Sequence, residues 1–222
     1  MLQKITALRY QKKNRQRVNV YLDGQYAFGL QETIAAALNV GQSLSPEETA
    51  QLQDRDVAEV AYERTLGFLG YRPRSTAEVQ AYLARRQVPP SVGQTVIQRL
   101  VAAGLLDDDA FARFWVENRE SFRPRGLRSL RYELRSKGVS DAVVEGATQE
   151  VDETEGAYRA AQDRARRLSG LEYQVFRRRL VGFLQRRGFG YDVVKETVDR
   201  LWRETHGAPD PEEEVDSDSL SR

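Results

Sequence analysis

Three arginines at helical spacing are the side chains in this sequence that could do the most specific chemistry. Arg128, Arg131 and Arg135 lie at positions i, i+3 and i+7, which a helix gathers within about 60° of its circumference. Leu127, Leu130 and Leu134 fall on the adjoining face. Because planar guanidinium groups bind carboxylates and phosphates through paired hydrogen bonds, the pattern predicts a helix that packs by one face and binds an anionic partner by the next. A solvated charged face is the alternative.

More basic residues accompany this stripe, at two Arg-Pro-Arg turns and in the C-terminal third of the chain. Four aromatic residues near these bases could stack on nucleobases, although core packing is favoured for most of them: Tyr71, Trp115, Phe122 and Tyr132. The turns themselves could equally be rigid linkers whose arginines lie in water. The full set of candidate partner-binding residues is Arg72, Arg74, Arg123, Arg125, Arg128, Arg131, Arg135, Lys137, Arg177, Arg178, Arg186 and Arg187.

The acidic cluster Asp107–Asp109 offers a different chemistry. Three carboxylates could hold magnesium in a nuclease. They also suit the first turn of a helix, where the helix dipole favours negative charge. Because metal sites in nucleases draw carboxylates from several elements, we favour the structural role. We therefore predict no catalytic residue, no metal site and no cofactor.

The composition excludes several other kinds of catalytic and metal site. The chain has 222 residues, no cysteine and one histidine, His206. Without cysteine there is no disulfide framework, no Cys-ligated zinc, no iron–sulfur cluster and no thiol catalysis. His206 lies in a polar stretch near the C-terminus, which argues against Ser-His-Asp catalysis and against His-rich metal sites. These features favour a protein that is not an enzyme.

The net charge of +1 conceals an uneven distribution. Residues 206–222 contain six acidic residues and one arginine, so the rest of the chain carries about +6. The composition of this acidic tail predicts disorder, and the basic body points to a polyanionic partner. We recognise no signal peptide and no membrane-spanning run, and therefore expect a cytoplasmic protein.

The N-terminal residues predict a small β-sheet element. Asp23-Gly24 separates two runs rich in valine, tyrosine and phenylalanine, and this dipeptide favours the type I′ turn of a hairpin. An earlier strand within residues 5–10 is expected to pair with the hairpin. From Gln31 onward the pattern predicts helices, and Ser45, followed by proline and two acids, marks the start of one of them.

Three stretches of the helical part repeat each other. Segment 70–88 matches segment 121–139 at an offset of 51 residues, and a third copy follows at an offset of 50. Gly104, Gly138 and Gly188 lie where helices should end. Such a period indicates stacked helical units, so we predict a mostly α protein with three tandem three-helix repeats in an elongated array, preceded by a small N-terminal β-hairpin or sheet. The predicted domains are 1–55, 56–105, 106–151 and 152–204, followed by the disordered acidic tail 205–222.

Two motifs in this array resemble those of the RecX family of bacterial regulators. The first places Asp108-Asp109 shortly before Phe-Ala, and the second, RG-x-x-x-L-x-x-EL-x-x-KG, extends from Arg125 to Gly138. The resemblance covers roughly residues 5–204. The third repeat departs from the pattern, because it has Tyr-Gln-Val-Phe where the other two have an Arg-Pro-Arg turn.

The resemblance implies a non-enzymatic modulator of the RecA recombinase. Family members bind the RecA–single-stranded DNA filament and usually inhibit its ATPase, strand-exchange and co-protease activities, which restrains recombination and the SOS response. The implied partner is the RecA filament, with single-stranded DNA as a second contact, and we expect a monomer. A stand-alone nucleic-acid-binding protein with basic helical repeats remains the alternative, and its affinity for DNA would fall steeply with salt.

Overall fold

The computed structural model describes residues 1–207 of the chain. The described residues divide into two compact units, of which the first is Met1–Asp107 and the second begins at Asp108. From residue 208 onward, the predicted disordered tail lies outside the described residues. Within residues 1–207, every helix is too short or too polar to cross a lipid bilayer.

The first unit begins with a four-stranded antiparallel sheet in the order β3-β2-β1-β4. The predicted hairpin is confirmed: Asp23 and Gly24 both have positive φ, 48° and 85°, as a type I′ turn requires. The predicted first strand also pairs with the hairpin, with Leu8 opposite Val20. The strands are β1 (Gln3–Tyr10), β2 (Arg17–Leu22), β3 (Gln25–Gln31) and β4 (Ser43–Leu44).

The expectation of helices alone beyond Gln31 is wrong at one place. After the four-residue helix α1 (Glu32–Ala35), Ser43 and Leu44 form the strand β4, which pairs with Lys4 and Gln3 at the edge of the sheet. Two residues are too few to show the alternation of polar and apolar side chains by which a strand is recognised in a sequence.

The long helix α2 (Pro46–Leu69) connects the sheet to the first helical domain. Its predicted start is confirmed, because the Ser45 hydroxyl accepts a hydrogen bond from the Glu48 amide at 3.1 Å and the Glu48 carboxylate accepts one from the Ser45 amide at 2.7 Å. Leu52 packs in the core of the sheet, whereas Ala61 packs in the core of the first helical domain. One helix therefore contributes to both cores.

A buried carboxylate fixes α2 against the sheet. Asp56, within this helix, is 8% exposed. Its Oδ1 accepts a hydrogen bond from the Gln31 amide at 2.6 Å, and its Oδ2 lies 2.9 Å from Nη2 of Arg17. The same guanidinium group donates to the carbonyl of Gly29 at 2.9 Å. Asp56 thus satisfies polar groups at the start of β2 and at the end of β3.

Three tandem three-helix domains follow, so the predicted fold class is confirmed. The first domain combines the C-terminal half of α2 with two further helices, and each of the other two domains contains three helices of its own. These helices are α3 (Thr76–Arg85), α4 (Pro90–Ala102), α5 (Asp108–Phe122), α6 (Leu127–Ser136), α7 (Asp141–Thr148), α8 (Glu153–Leu168), α9 (Tyr173–Arg186) and α10 (Tyr191–His206).

The repeated apolar positions lie in the domain cores. Leu83, Leu134 and Leu184, which correspond to one another in the three repeats, are at most 3% exposed. Each domain has its own cluster of buried residues. The glycines expected at helix ends also agree with the structure, because Gly104 and Gly138 adopt positive φ of 67° and 75° two residues beyond the ends of α4 and α6.

Helix α10 includes residues 205 and 206, which the sequence analysis assigned to the tail. The His206 ring stacks on Trp202 with 3.5 Å between ring centres, and its Nε2 lies 2.6 Å from the carbonyl oxygen of Ser169. Stacking one turn apart on the helix and a contact with the end of α8 explain why the helix continues past Glu204. The single histidine is therefore part of the third domain.

The second and third domains meet through closely packed backbone. The Gly126 amide, at the start of α6, donates to the carbonyl of Arg187 at 3.0 Å. A Cβ on Gly126 would overlap the carbonyl group of Gly188, and one on Gly188, whose φ is 83°, would overlap Ser129. Both positions therefore require glycine, the first for close approach and the second for close approach and for its backbone conformation.

One carboxylate reinforces this junction. Oε1 of Glu153, in the first turn of α8, accepts hydrogen bonds from the amides of Leu127 at 3.1 Å and Gly190 at 3.2 Å. These amides belong to the N-terminal ends of α6 and α10, where helices leave amide groups without internal partners. The charge of Glu153 also lies where both helix dipoles favour it.

Candidate partner-binding surface

The predicted arginine stripe lies on α6, and its adjoining face is buried at Leu130 and Leu134 and half-buried at Leu127. Leu130 and Leu134 have no exposed surface. Arg128, at the N-terminal end of the stripe, is exposed and forms no ion pair with another described residue. This guanidinium group is therefore accessible to an anion from a partner.

The other two arginines of the stripe contact acids of the neighbouring helix α7. Nη2 of Arg131 lies 2.8 Å from Oε2 of Glu145, and Nε of Arg135 donates to Oδ1 of Asp141 at 2.7 Å. The hydrogen bond with Asp141 raises the pKa of Arg135. Because water screens both pairs, they contribute little to stability. The stripe thus presents one unpaired guanidinium group and two that are partly neutralised within the domain.

The first Arg-Pro-Arg turn uses its arginines within the first domain. Arg72 forms a bidentate pair with Glu78, with nitrogen–oxygen distances of 2.7 and 3.1 Å. The guanidinium group of Arg74 lies 4.0 Å from the ring centre of Phe68, which stacks on Tyr82. Burial, followed by the charge of Arg72, lowers the pKa of Arg74. Both arginines therefore support the local fold.

The arginines of the second Arg-Pro-Arg turn have fewer partners. Arg123 is exposed and forms no ion pair among residues 1–207. Nε of the half-buried Arg125 lies 3.8 Å from Oε1 of Glu133, too far for a hydrogen bond. The two turns thus have the same sequence, but Arg72 of the first forms a close ion pair, whereas Arg123 of the second forms none among the described residues.

Glu133 and Trp115 contact two further cations of the second domain, Arg119 and Lys137. The Glu133 carboxylate accepts hydrogen bonds from the Trp115 indole at 2.8 Å and from Nε of Arg119 at 2.7 Å. The guanidinium group of Arg119 and the ammonium group of Lys137 lie 4.5 and 4.4 Å from the centre of the indole ring. Lys137, a predicted site residue, therefore makes a cation–π contact at the C-terminal end of α6.

The third domain contributes two arginines around one aromatic ring. The guanidinium groups of Arg187 and Arg164 lie 4.5 and 4.9 Å from the ring centre of Phe183. Nη1 of Arg187 donates to the carbonyl of Pro124, the central residue of the second Arg-Pro-Arg turn, at 3.3 Å. This contact places Arg187 beside Arg123 and Arg125 of the second domain.

The other predicted residues of the third domain lie on α9. Arg177 and Arg178 line an open groove of about 540 Å³ together with Val181 and Gln185. Arg186 is exposed at the end of the helix. This groove is open to solvent, and the structure shows no contact between its arginines and the cluster around Phe183.

The acidic triplet lies at the start of α5. Asp108 and Asp109 occupy the first turn of this helix, where the sequence analysis expected them. Within the part of the chain that the structure describes, no three His, Cys, Asp or Glu side chains are grouped so that they could hold a metal ion.

The structure therefore brings together four arginines, of which the sequence places only Arg123 and Arg125 in one motif. Arg123, Arg125 and Arg187 were predicted individually, whereas Arg164 was not among the predicted site residues. Its only signal in the sequence is a short basic run on a predicted helix, and such runs are common on solvated faces. Its proximity to Arg187 depends on the packing of α8 against α9.

Four family models together match most of the described chain. The model for the regulatory protein RecX N-terminal domain matches residues 3–45. Models for the first, second and third three-helix domains of RecX match residues 61–100, 107–147 and 150–198.

Curated proteins and solved structures give the same picture. The chain is 31% identical over 202 residues to regulatory protein RecX of Bacillus subtilis, covering 89% of this chain and 76% of the relative. It is 28% identical to regulatory protein RecX of Lactobacillus johnsonii, covering 86% and 72%. A crystal structure of regulatory protein RecX superposes with a TM-score of 0.72 at 26% identity, covering 89% of this chain and all of that one. RecX from Lactobacillus salivarius, at 23% identity, shares the fold with a TM-score of 0.60, covering 66% of this chain and 97% of that one.

Proposed function

Because this chain belongs to the RecX family of regulatory proteins, we propose that it binds the RecA–single-stranded DNA filament and inhibits the recombinase. The affected activities are the ATPase, strand exchange and co-protease activities, so the protein restrains recombination and the SOS response. Catalysis remains with the recombinase, and this chain acts by binding.

The observation that carries the proposal is the match of all four domains, in order, to the family models. The surface chemistry supports it. Arg128, Arg123 and Arg178 are exposed cations on the second and third domains, and a recombinase filament offers both DNA phosphates and protein carboxylates to guanidinium groups. Basic domains in tandem could engage several such anions at once, which increases avidity.

Co-sedimentation tests the proposal. The full chain is mixed with preformed RecA–single-stranded DNA–nucleotide filaments, excess free single-stranded DNA is added as competitor, and the filaments are pelleted. Retention with the filament, together with a dose-dependent fall in its ATPase rate, is expected. Failure to pellet with the filament, or an unchanged ATPase rate at saturating protein, would contradict the proposal.

The alternative is a stand-alone nucleic-acid-binding protein, favoured by the excess of basic residues in the body of the chain. In that case the free DNA removes the protein from the filament. The logarithm of its affinity for single strands would then fall linearly with the logarithm of salt concentration, by about 0.7 per phosphate contact.

A triple variant of the stripe tests its part in partner binding. Replacing Arg128, Arg131 and Arg135 by alanine is expected to weaken retention on the filament about tenfold or more, because three guanidinium contacts are removed. Helicity and melting temperature should change little, since the ion pairs to α7 are exposed to water. Binding is measured by co-sedimentation, and folding by circular dichroism.

The matched control removes three exposed arginines from the first unit, Arg15, Arg55 and Arg85. It loses the same net charge and should bind nearly as well as the wild type. If the stripe variant and the control bind alike, the stripe is a solvated surface.

A further inference from the structure

The two Arg-Pro-Arg turns differ at one position, which determines whether the first arginine of the turn has a carboxylate partner. Glu78, which pairs with Arg72 in the first repeat, corresponds to Ser129 in the second repeat at the offset of 51 residues. The equivalent arginine, Arg123, therefore lacks the carboxylate that its counterpart has. The second turn keeps both cations, and among the described residues their one ion pair is that of Arg125 with Glu133 at 3.8 Å.

The third domain adds positive charge at the same place. Arg187 donates to the carbonyl of Pro124 at 3.3 Å and shares the ring of Phe183 with Arg164. The backbone hydrogen bond from Gly126 to the Arg187 carbonyl holds the two segments together. This arginine cluster, defined as Arg123, Arg125, Arg164 and Arg187, is thus built by two domains.

The cluster carries more positive charge than its neighbouring carboxylates compensate. Arg123, Arg164 and Arg187 form no ion pair with any carboxylate in the described part of the chain. Burial, and after it the charges of Arg125, Arg123 and Arg164, lower the pKa of Arg187. Like charges held this close repel one another, and an anion bound among them would relieve that repulsion.

An exposed aromatic residue adjoins the cluster. Phe122 immediately precedes Arg123 and is 78% exposed, and its counterpart Tyr71 at the first turn is 87% exposed. Nucleobases stack on exposed aromatic rings while guanidinium groups bind the phosphates between them.

We propose that the arginine cluster, with Phe122 beside it, binds the phosphodiester backbone of single-stranded DNA. The inference assigns a DNA-binding site within the proposed function. It rests on the proposed function only for the identification of the bound anion as DNA. It assigns the DNA contact to the junction of the second and third domains, separate from the stripe on α6. The test can therefore be made with DNA alone.

Fluorescence anisotropy with a labelled oligothymidylate tests the inference on the full chain. The double variant Arg123→Ala/Arg164→Ala is expected to bind about tenfold or more weakly, and its salt slope should fall by roughly 1.4, the value for two lost contacts on a single strand. Phe122→Ala should weaken binding and leave the salt slope unchanged, because stacking releases no counterions. Arg187 is left intact because it also supports the junction.

The control is Arg113→Ala/Arg203→Ala, which removes two exposed arginines of the same unit. Circular dichroism confirms that each variant is folded. The inference is overturned if the cluster variant and the control have the same salt slope. It is also overturned if the wild type binds polyglutamate and ignores oligothymidylate, since the anion would then be an acidic polypeptide.

The two proposals can fail separately. Retention of the cluster variant on RecA filaments, with an unchanged DNA salt slope, would contradict the inference and leave the proposed function standing. Binding of oligothymidylate through the cluster, without retention of the wild type on filaments in the presence of competitor DNA, would contradict the proposed function and leave the inference standing.

Discussion

Replacing Gly126 by alanine is expected to separate the second and third helical domains. The φ of Gly126 is −69°, which suits any residue, so the effect comes from space alone. The added methyl group would overlap backbone atoms of Gly188 and Phe189, which cannot rotate away as a side chain could. Overpacking of this kind costs about 1–3 kcal/mol, and separation also removes the hydrogen bond to the Arg187 carbonyl. Urea unfolding of the full chain measures the loss.

The matched control for this prediction is Gly146→Ala in helix α7. A Cβ at Gly146 meets no atom within 4 Å, and alanine is favoured over glycine inside a helix by about 0.5–1 kcal/mol. The control should therefore be neutral or slightly more stable. Equal effects of the two substitutions would show that the close approach at Gly126 does not constrain the junction.

Replacing Asp56 by alanine is expected to destabilise the first unit by about 3 kcal/mol. The substitution removes the acceptor of the Gln31 amide and the ion-pair partner of the half-buried Arg17. Removing one member of a buried ion pair costs about 3–5 kcal/mol because the other charge is left without compensation. Since Arg17 is partly exposed, we expect a loss of stability at the lower end of this range. The midpoint of thermal unfolding is the measurement.

Asp56→Asn should reduce the stability of the first unit less than Asp56→Ala does, because the amide oxygen can still accept the hydrogen bond from Gln31. Only the ion pair with Arg17 is lost. Asp54→Ala serves as the control on the same helix, since Asp54 is exposed and the change should stay within about 0.5 kcal/mol. If Asp56→Ala melts like this control, then the carboxylate is not what joins α2 to the sheet.

The repeated pattern of the sequence predicts most of the fold. Periodic leucines such as Leu134 and Leu184 identify the buried faces, because a helix repeats its contacts every three to four residues. Asp23-Gly24 predicts the hairpin through the backbone angles that its turn requires. These signals are local, and each involves residues within one element or two adjacent ones.

Features that depend on distant contacts could not be predicted in this way. Strand β4 exists because Ser43 and Leu44 reach the edge of β1, and nothing in a two-residue segment indicates that pairing. The arginine cluster likewise requires Arg164 and Arg187 to meet around Phe183 beside a turn of another domain. Individual arginines were recognisable as candidates from their residue type, whereas their grouping depends on how the helices pack.

Helix α2 is shared by the sheet and the first helical domain, so these two parts of the chain should open together, whereas the second and third domains can open separately. Because Leu52 and Ala61 belong to different cores on one helix, an opening in the middle of α2 exposes both cores, and the amide protons of the sheet and of α3 should exchange with solvent at a common free energy. The second and third domains have separate clusters of buried side chains, so their amides can exchange at two different free energies. A partner bound to the third domain alone would therefore slow exchange there while the sheet exchanges as before.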